Sequence, residues 1–318
     1  MYSFDYRLYR RDFQTPLQTH HGIWKTREGI IIRLTDERGE IGWGEIAPLP
    51  LFGSETLEMA SAFCVSLGKV ITPQILSSIA DELPATQFAF ESAIESLTLP
   101  DFNITSSLYS YLLPSGVAAL ESLPKALSHR DINTLKWKIG VSPPDKELKI
   151  WRELMAASPP EIKIRLDANG GLNLQTAETW LKNTDESPRV EFIEQPLGVD
   201  RFREMLRLSL DYKTPIALDE SVATLTQLED IYQKGWRGIF VVKPCIMGFP
   251  SRFRKLCRQY QLDVVLSSVL ETEIGRRSAL RLVGWGRVDR SLGFGVNQWF
   301  AANEPDWLDN LWQTSSPI

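Results

Sequence analysis

Histidine is almost missing from this chain. Of 318 residues only His20, His21 and His129 are histidines, and none lies in a segment rich in other chemically active side chains. That weighs against catalytic triads built on an imidazole base and against histidine-rich metal sites. Cysteine is as scarce: Cys64, Cys245 and Cys257 are odd in number and lack the C-x-x-C spacing of thiolate zinc sites. A disulfide framework is excluded on the same ground, and a reducing cytoplasm is the expected compartment. No apolar run is long enough to cross a bilayer. The opening MYSFDYRLYRRDF alternates like a strand and has no signal-peptide apolar core. The net charge of -5 comes without a basic run or basic–aromatic interleaving, which argues against a nucleic-acid partner. Any chemistry must therefore rest on carboxylates and lysines.

Those residues are present, and their spacing is regular. Lys138, Asp167, Glu194, Asp219 and Lys243 recur at intervals of roughly 24 to 29 residues. Each stands at or near the end of a short apolar run: TLKWKIG, KIRLDANG, VEFIEQP, IALDES and IFVVKP. The interval is that of one strand-plus-helix unit of a barrel, whose strand ends converge on one mouth. Three carboxylates between two lysines suit a divalent cation and proton transfer.

The first hundred residues have a different texture. YSFDYRLYRRDF is one extended segment, and GIIIRL and GEIGWGEI form a hairpin across the polar turn TDER. SETLEMASAFCVSLGKV and TQFAFESAIESLTL have helical spacing, the first with Ser54 as the expected N-cap. From SLYSYLL onward strands alternate with helices. Strands are expected at 107–113, 134–139, 162–167, 190–194, 215–219, 238–243 and 263–268, with a weaker eighth near 290. Helices such as DKELKIWRELMAA and LNLQTAETWLKN lie between them. Repeated βα units imply right-handed crossovers and a parallel sheet, here closed into a barrel. The expected division is an α+β capping domain over 1–100, a barrel over 101–289, and a tail over 290–318 that folds back on the first domain through Trp299, Trp307 and Trp312.

In TLKWKIG, Lys136 and Lys138 are two apart and share one strand face, while Trp137 and Ile139 take the other. Two lysines inside a barrel are costly to desolvate. The competing picture is a solvated edge strand, which the four further charged strand ends oppose. Repulsion between the lysines and a nearby cation would lower the pKa of Lys138 and leave it able to accept a proton. Asp167, Glu194 and Asp219 offer three hard oxygen donors suited to Mg²⁺, with Mn²⁺ as a second choice. Each alone could be a cap or an ion-pair partner, and Glu220 or Ser221 could take the role given to Asp219. Arg165 shares the inward face with Asp167 and is expected to meet a carboxylate or the substrate. Asn169 either orients a ligand or forms a turn. Lys243 precedes Pro244, which should end its strand. Facing Lys138 across the cavity, it would flank a bound carboxylate whose α-proton a cation acidifies. Ser267 and Ser268 offer hydroxyls to an anion beside a helix start, or else cap that helix. Two loops, 14–26 and GWGEIAPLPLFGSET, are candidate covers for the mouth.

The Lys-x-Lys, Asp-x-Asn, Glu, Asp and final Lys on successive strands resemble the muconate-lactonising-enzyme subgroup of the enolase superfamily. The resemblance covers nearly the whole chain. It implies a (β/α)7β modified TIM barrel with an N-terminal α+β capping domain. REG at 27–29, GWGEIAPLP at 42–50, VVKP at 241–244 and SSVLETEIG at 267–275 resemble, within it, the o-succinylbenzoate synthase family. Residues 51–54, LFGS, depart from that family, which more often has a glycine earlier in this loop. The resemblance implies a metal-dependent dehydration of 2-succinyl-6-hydroxy-2,4-cyclohexadiene-1-carboxylate to 2-succinylbenzoate in menaquinone or phylloquinone synthesis. Lys138 would be the base, Lys243 a stabilising cation, Asp167, Glu194 and Asp219 the metal ligands, and Lys136, Arg165, Asn169, Ser267 and Ser268 substrate contacts. The alternative within the subgroup is an N-succinylamino acid racemase, alone or as a second activity, with Lys138 and Lys243 as opposed bases. A third reading is a catalytically silent ligand-binding barrel. The expected partner is a small carboxylate, with no nucleic acid and no membrane; no motif sets monomer against homo-oligomer.

Overall fold

The structure, a computed structural model, describes residues 1–19, 22–99, 109–129, 132–285, 290–295, 300 and 304–314. It opens with an antiparallel sheet of order β3-β2-β1-β4, formed by β1 (Tyr2–Thr19), β2 (Gly22–Thr35), β3 (Ile41–Ile46) and β4 (Val70–Ile71). β1 and β2 make one long hairpin in which Ser3 pairs with Thr35 and Thr19 with Gly22. Segment 14–26 belongs to the far end of that hairpin, and the His20-His21 pair lies outside the described residues. Helices α1 (Leu57–Ser66), α2 (Pro73–Ser77) and α3 (Pro84–Glu95) follow.

Strand alternation decides what each face of this sheet meets. Phe4 of β1 packs on Phe90 of α3, with ring centroids 5.4 Å apart. The odd residues Arg7 and Arg11 lie over the rings of Trp312 and Trp307. Those tryptophans belong to the C-terminal helix Glu304–Thr314, which runs along the outer face of the sheet. Gly42 and Gly44 let α3 lie flat on β3: a Cβ at either would stand 2.0 or 2.1 Å from the carbonyl oxygens of Ala93 and Ala89. One expectation fails here. Ser54 does not cap α1; Thr56 does, accepting from the Met59 N–H at 3.2 Å, while the Ser54 hydroxyl accepts from the Leu49 N–H at 2.6 Å.

The second sheet is parallel, of order β11-β10-β9-β8-β7-β6-β5. Its strands are β5 (Tyr111–Leu112), β6 (Thr134–Lys138), β7 (Lys163–Asp167), β8 (Val190–Glu194), β9 (Ile216–Leu218), β10 (Ile239–Val242) and β11 (Val264–Leu266). Between them lie α4 (Ala118–Ser128), α5 (Pro144–Ala157), α6 (Leu174–Thr184), α7 (Phe202–Asp211), α8 (Leu225–Gln233), α9 (Pro244–Met247) and α10 (Pro250–Tyr260). α11 (Glu273–Leu280) follows β11, and α12 (Glu304–Thr314) is the helix on the first sheet. Two edges that would otherwise expose unpaired backbone are joined by one short segment. Tyr109 bridges Leu292 and Ser267 bridges Gly293, both in parallel. The Ser110 N–H donates to the Leu292 carbonyl at 2.9 Å, and the Gly293 N–H donates to the Leu266 carbonyl at 2.8 Å. The eighth position of the barrel is thus filled by 292–293, beside the weaker eighth strand expected near 290, so that neither edge of the sheet is left open there.

Apolar spacing explains the helix docking. Leu148, Trp151 and Leu154 form the buried stripe of α5. Trp137 on β6 and Trp151 both meet Trp180 of α6 edge-on, at centroid distances of 6.2 and 6.4 Å. With Trp137 fully buried against the helices, the pleat turns Lys136 and Lys138 to the barrel interior.

Candidate active site

Parallel register aligns the charged strand ends. Lys136 stands opposite Arg165, Lys138 opposite Asp167, and Asp167 opposite Glu194. Asp219 follows the last residue of β9 and Lys243 the last of β10, where Pro244 opens α9. A cavity of about 630 Å³ at this mouth is lined by Lys136, Lys138, Asp167, Asp219 and Lys243, together with Asn169, Ser267 and Ser268. Glu194 lies just beneath, almost wholly buried, under the Lys136 ammonium. The N-terminal unit contributes Trp24 from β2 and the Leu49–Gly53 turn, whose Leu51 and Phe52 cover the opening.

The lysines differ in what holds them. Lys136 Nζ sits between Asp167, at 2.9 Å, and both oxygens of Glu194, at 2.8 Å. Lys243 Nζ donates to Asp219 Oδ1, and the Phe52 ring lies 4.4 Å from it on another side. Lys138 makes no hydrogen bond or ion pair among the described residues, although it lines the same cavity.

Burial and crowding set the titration of the carboxylates. Burial pushes Glu194 up to about 7, with repulsion from Asp167 adding to it and the Lys136 ammonium opposing. Burial likewise raises Asp219 to about 6 against the pull of Lys243, and the neighbouring Glu220 carboxylate raises it further. For Asp167 burial also raises, but the Lys136 ion pair, with Lys138 and the Asn169 N–H, outweighs it and holds the group below its usual value. Burial acts on Lys136 in the lowering direction, yet the surrounding Asp167, Glu194 and Asp219 carboxylates keep it raised.

Hard oxygen donors on three adjacent strand ends suit a divalent cation in type. In the present arrangement lysine ammonium groups stand among them. No three His, Cys, Asp or Glu side chains among the described residues converge closely enough to hold an ion as they stand. The ammonium of Lys136, clasped by Asp167 and Glu194, marks where positive charge is favoured.

Three expectations need correction or refinement. Arg165 faces inward, but below the cavity: it is 1% exposed, its Nε donates to Glu191 at 2.7 Å, and its guanidinium stacks over Phe192. It is not part of the cavity lining because its guanidinium turns down to Glu191, whereas Lys136, at the same level of the sheet, turns up to Asp167 and Glu194. Ser268 lines the cavity, yet its hydroxyl donates to Glu271 at 2.9 Å and accepts from the Leu270 N–H at 2.9 Å. The start of α11 is capped by Thr272, which accepts from the Ile274 N–H at 3.3 Å. Asn169 forms a turn, with φ 44 and its N–H donating to Asp167 at 3.1 Å, while its amide donates to Glu220 at 3.1 Å.

Two further groups shape the site that the sequence reading did not single out. Glu147, on α5, accepts from the N–H groups of Gly140, Val141 and Ser142 at 2.8–2.9 Å, anchoring the loop that leaves Lys138. Glu45, fully buried in the N-terminal unit, accepts from the N–H groups of Thr272 and Gly275 at 2.9–3.0 Å, tying that unit to the helix beyond β11. The signal for Glu147 was its place in the first turn of a helix just after a strand; for Glu45, a carboxylate at a buried strand position.

Comparison with known proteins decides the family. A family model described as "Enolase C-terminal domain-like" matches residues 118–285, and one described as "MenC, N-terminal domain" matches residues 4–97. An o-succinylbenzoate synthase from Thermosynechococcus vestitus is 40% identical over 301 residues, covering 93% of each chain. This chain belongs to the o-succinylbenzoate synthase family of the enolase superfamily. Another member, from Yersinia enterocolitica, is 29% identical over 96% of this chain and 98% of its own. The crystal structure of o-succinylbenzoate synthase from Thermosynechococcus elongatus, complexed with Mg in its active site, superposes with a TM-score of 0.91 at 38% identity, covering 98% of this chain and 100% of that one. The L-Ala-D/L-Glu epimerase of Bacillus subtilis shares the fold at a TM-score of 0.78 and 20% identity, over 94% of this chain and 90% of its own. The o-succinylbenzoate synthase family thus supplies the fold expected from the strand-end pattern. No helix among the described residues is long and apolar enough to cross a membrane.

Proposed function

We propose that this chain is a metal-dependent o-succinylbenzoate synthase of quinone biosynthesis, dehydrating 2-succinyl-6-hydroxy-2,4-cyclohexadiene-1-carboxylate to 2-succinylbenzoate. The observation that carries the reading is Lys138: an uncommitted amine facing one cavity with three carboxylates and two ion-paired lysines, in a member of this family. Asp167, Glu194 and Asp219 would hold the cation, Mg²⁺ or alternatively Mn²⁺, which when bound supplies a Lewis acid toward the substrate carboxylate. Lys138 Nζ takes the proton α to that carboxylate. The C–O bond to the ring hydroxyl then breaks, and the Lys138 ammonium returns its proton to the departing hydroxide from the same face, releasing water. Aromatisation drives the step, so the protein's task is to position, acidify and exclude solvent. Lys243, paired with Asp219, faces the negative charge that develops as the proton leaves. Trp24, Leu51 and Phe52 keep water from the reacting face, and Asn169, Ser267 and Ser268 edge the substrate cavity. Free, buried thiols at Cys64, Cys245 and Cys257 support a cytoplasmic setting.

An assay of the purified chain with Mg²⁺ and the cyclohexadiene substrate, followed by product absorbance, tests the proposal; absence of turnover would overturn it. An N-succinyl amino acid offered in parallel in D₂O separates the racemase reading. Exchange of the α-hydrogen in both enantiomers, lost in Lys243→Ala, would mark Lys243 as a base; its ion pair with Asp219 favours the cation role.

A further inference from the structure

Gln195 is wholly buried and has φ 37, immediately after Glu194, in the left-handed region that few side chains other than Gly, Asn and Asp adopt readily. Every polar group it carries is engaged, and the partners come from all three carboxylate-bearing strand ends. Its N–H donates to the Ala217 carbonyl at 2.8 Å, and its carbonyl accepts from the Gly170 N–H at 2.7 Å, in the loop that follows Asp167. Its side-chain Oε1 accepts from the backbone N–H of Asp219 at 3.0 Å and of Ser221 at 3.3 Å. Its Nε2 donates to Ser221 Oγ at 2.8 Å and to the Leu197 carbonyl at 2.9 Å. β9 ends at Leu218, so the Asp219 N–H has no strand partner and would be a buried orphan without this amide.

We infer that Gln195 is a positioning residue that fixes the spacing of Asp167, Glu194 and Asp219, and thereby the preference of the site for a small cation. The inference rests on the reading of those carboxylates as cation ligands. Three buried carboxylates repel one another, and while Lys136 bridges Asp167 to Glu194, no such side-chain bridge joins Glu194 to Asp219 among the described residues. A neutral amide resists their separation without adding a fourth negative charge. Mg²⁺ demands near-ideal octahedral geometry at short distances of about 2.0–2.1 Å, whereas Ca²⁺ tolerates longer and more irregular ones. Loosening the clamp should therefore cost Mg²⁺ more than Ca²⁺.

The test is titration calorimetry of the full chain, stripped with EDTA, against Mg²⁺ and separately Ca²⁺. Gln195→Met, similar in volume but unable to pair with the Asp219 and Ser221 N–H groups, should weaken Mg²⁺ about tenfold and Ca²⁺ less than about threefold. An unchanged ratio of the two affinities, even with a lowered melting temperature, would make Gln195 merely structural and overturn the inference. If Gln195→Met does not fold, Ser221→Ala serves instead. It removes the hydroxyl that receives Nε2 and should shift the ratio in the same direction by about threefold; no shift overturns the inference. Asp219→Asn is the control for the underlying reading. If it binds Mg²⁺ as the parent does, the carboxylates are not the ligands and both conclusions fall together; if it loses Mg²⁺ while Gln195→Met keeps the parent ratio, only the role of Gln195 falls.

Discussion

The two mouths of the barrel are both charged and both open on cavities of about 630 Å³, yet their charges are arranged to opposite ends. At the N-terminal mouth Glu191 lies between Arg165, at 2.7 Å, and Arg290, at 2.9 Å, and Arg290 also grips Asp263 through two bonds of 2.8 Å. Arginines and carboxylates are matched in ion pairs there, and Glu191 is held below its ordinary value: burial opposes, but the two arginines prevail. At the C-terminal mouth carboxylates outnumber what Lys136 and Lys243 neutralise, Glu194 and Asp219 titrate upward, and Lys138 makes no hydrogen bond or ion pair among the described residues. One end is at rest electrostatically; the other is poised to accept a cation and move a proton. Arginine, always charged and planar, suits the first, while lysine, able to give up its proton, suits the second.

The comparison can be broken most sharply at Lys138. Lys138→Ala should lower kcat about 10³-fold, within the range of a lost general base, while Mg²⁺ still binds by calorimetry. Retained turnover would move the base elsewhere. Glu191→Ala should do the reverse. It leaves Arg165 buried without its partner and should cost about 3 kcal/mol in denaturant unfolding, with kcat of the folded enzyme nearly unchanged. A comparable fall in kcat would erase the distinction between the mouths.

A smaller effect follows from pH. Glu194 and Asp219, raised to about 7 and about 6 in the metal-free protein, must lose their protons for a cation to bind. Mg²⁺ affinity should therefore be flat above pH 7 and fall as pH drops through 7 and 6, by roughly tenfold per unit for each proton displaced. For stability the sign is opposite. The native metal-free state holds more protons than the unfolded chain between the ordinary carboxylate range and pH 7. These two groups hence make the metal-free protein less stable as pH rises across that window, and saturating Mg²⁺ should remove the fall. Melting curves with EDTA and with Mg²⁺ at pH 5, 6 and 7 check both arms. Smallest of all, Thr56→Ala should cost about 1 kcal/mol, read as a drop in melting temperature, and leave both mouths untouched.

Much of this was legible in the residues alone because the relevant physics is local. Side chains on a strand alternate, so Lys136 and Lys138 had to share a face once Trp137 was needed by the outer helices, and Pro244 had to end β10. What was not legible depends on depth and on distant partners. Arg165 has the same facing as Asp167 and the same level as Lys136, but its guanidinium is drawn down to Glu191, a partner 26 residues away, while the Lys136 ammonium is drawn up to Asp167 and Glu194. Thr56 and Ser54 are equally good caps by type, and only the Leu49 turn, which claims the Ser54 hydroxyl, separates them.

The regular spacing of lysines and carboxylates, with histidine scarce and C-x-x-C spacing absent, was by itself enough to point to the barrel, its working end and the type of chemistry, because strand alternation and side-chain type are properties of short segments. Only the tertiary structure decided which lysine makes no ion pair among the described residues, which arginine is buried below the site, and that Gln195 joins three strand ends. Each of those is a contact between residues far apart in the chain, settled by how the strands register and how completely the buried polar groups are paired.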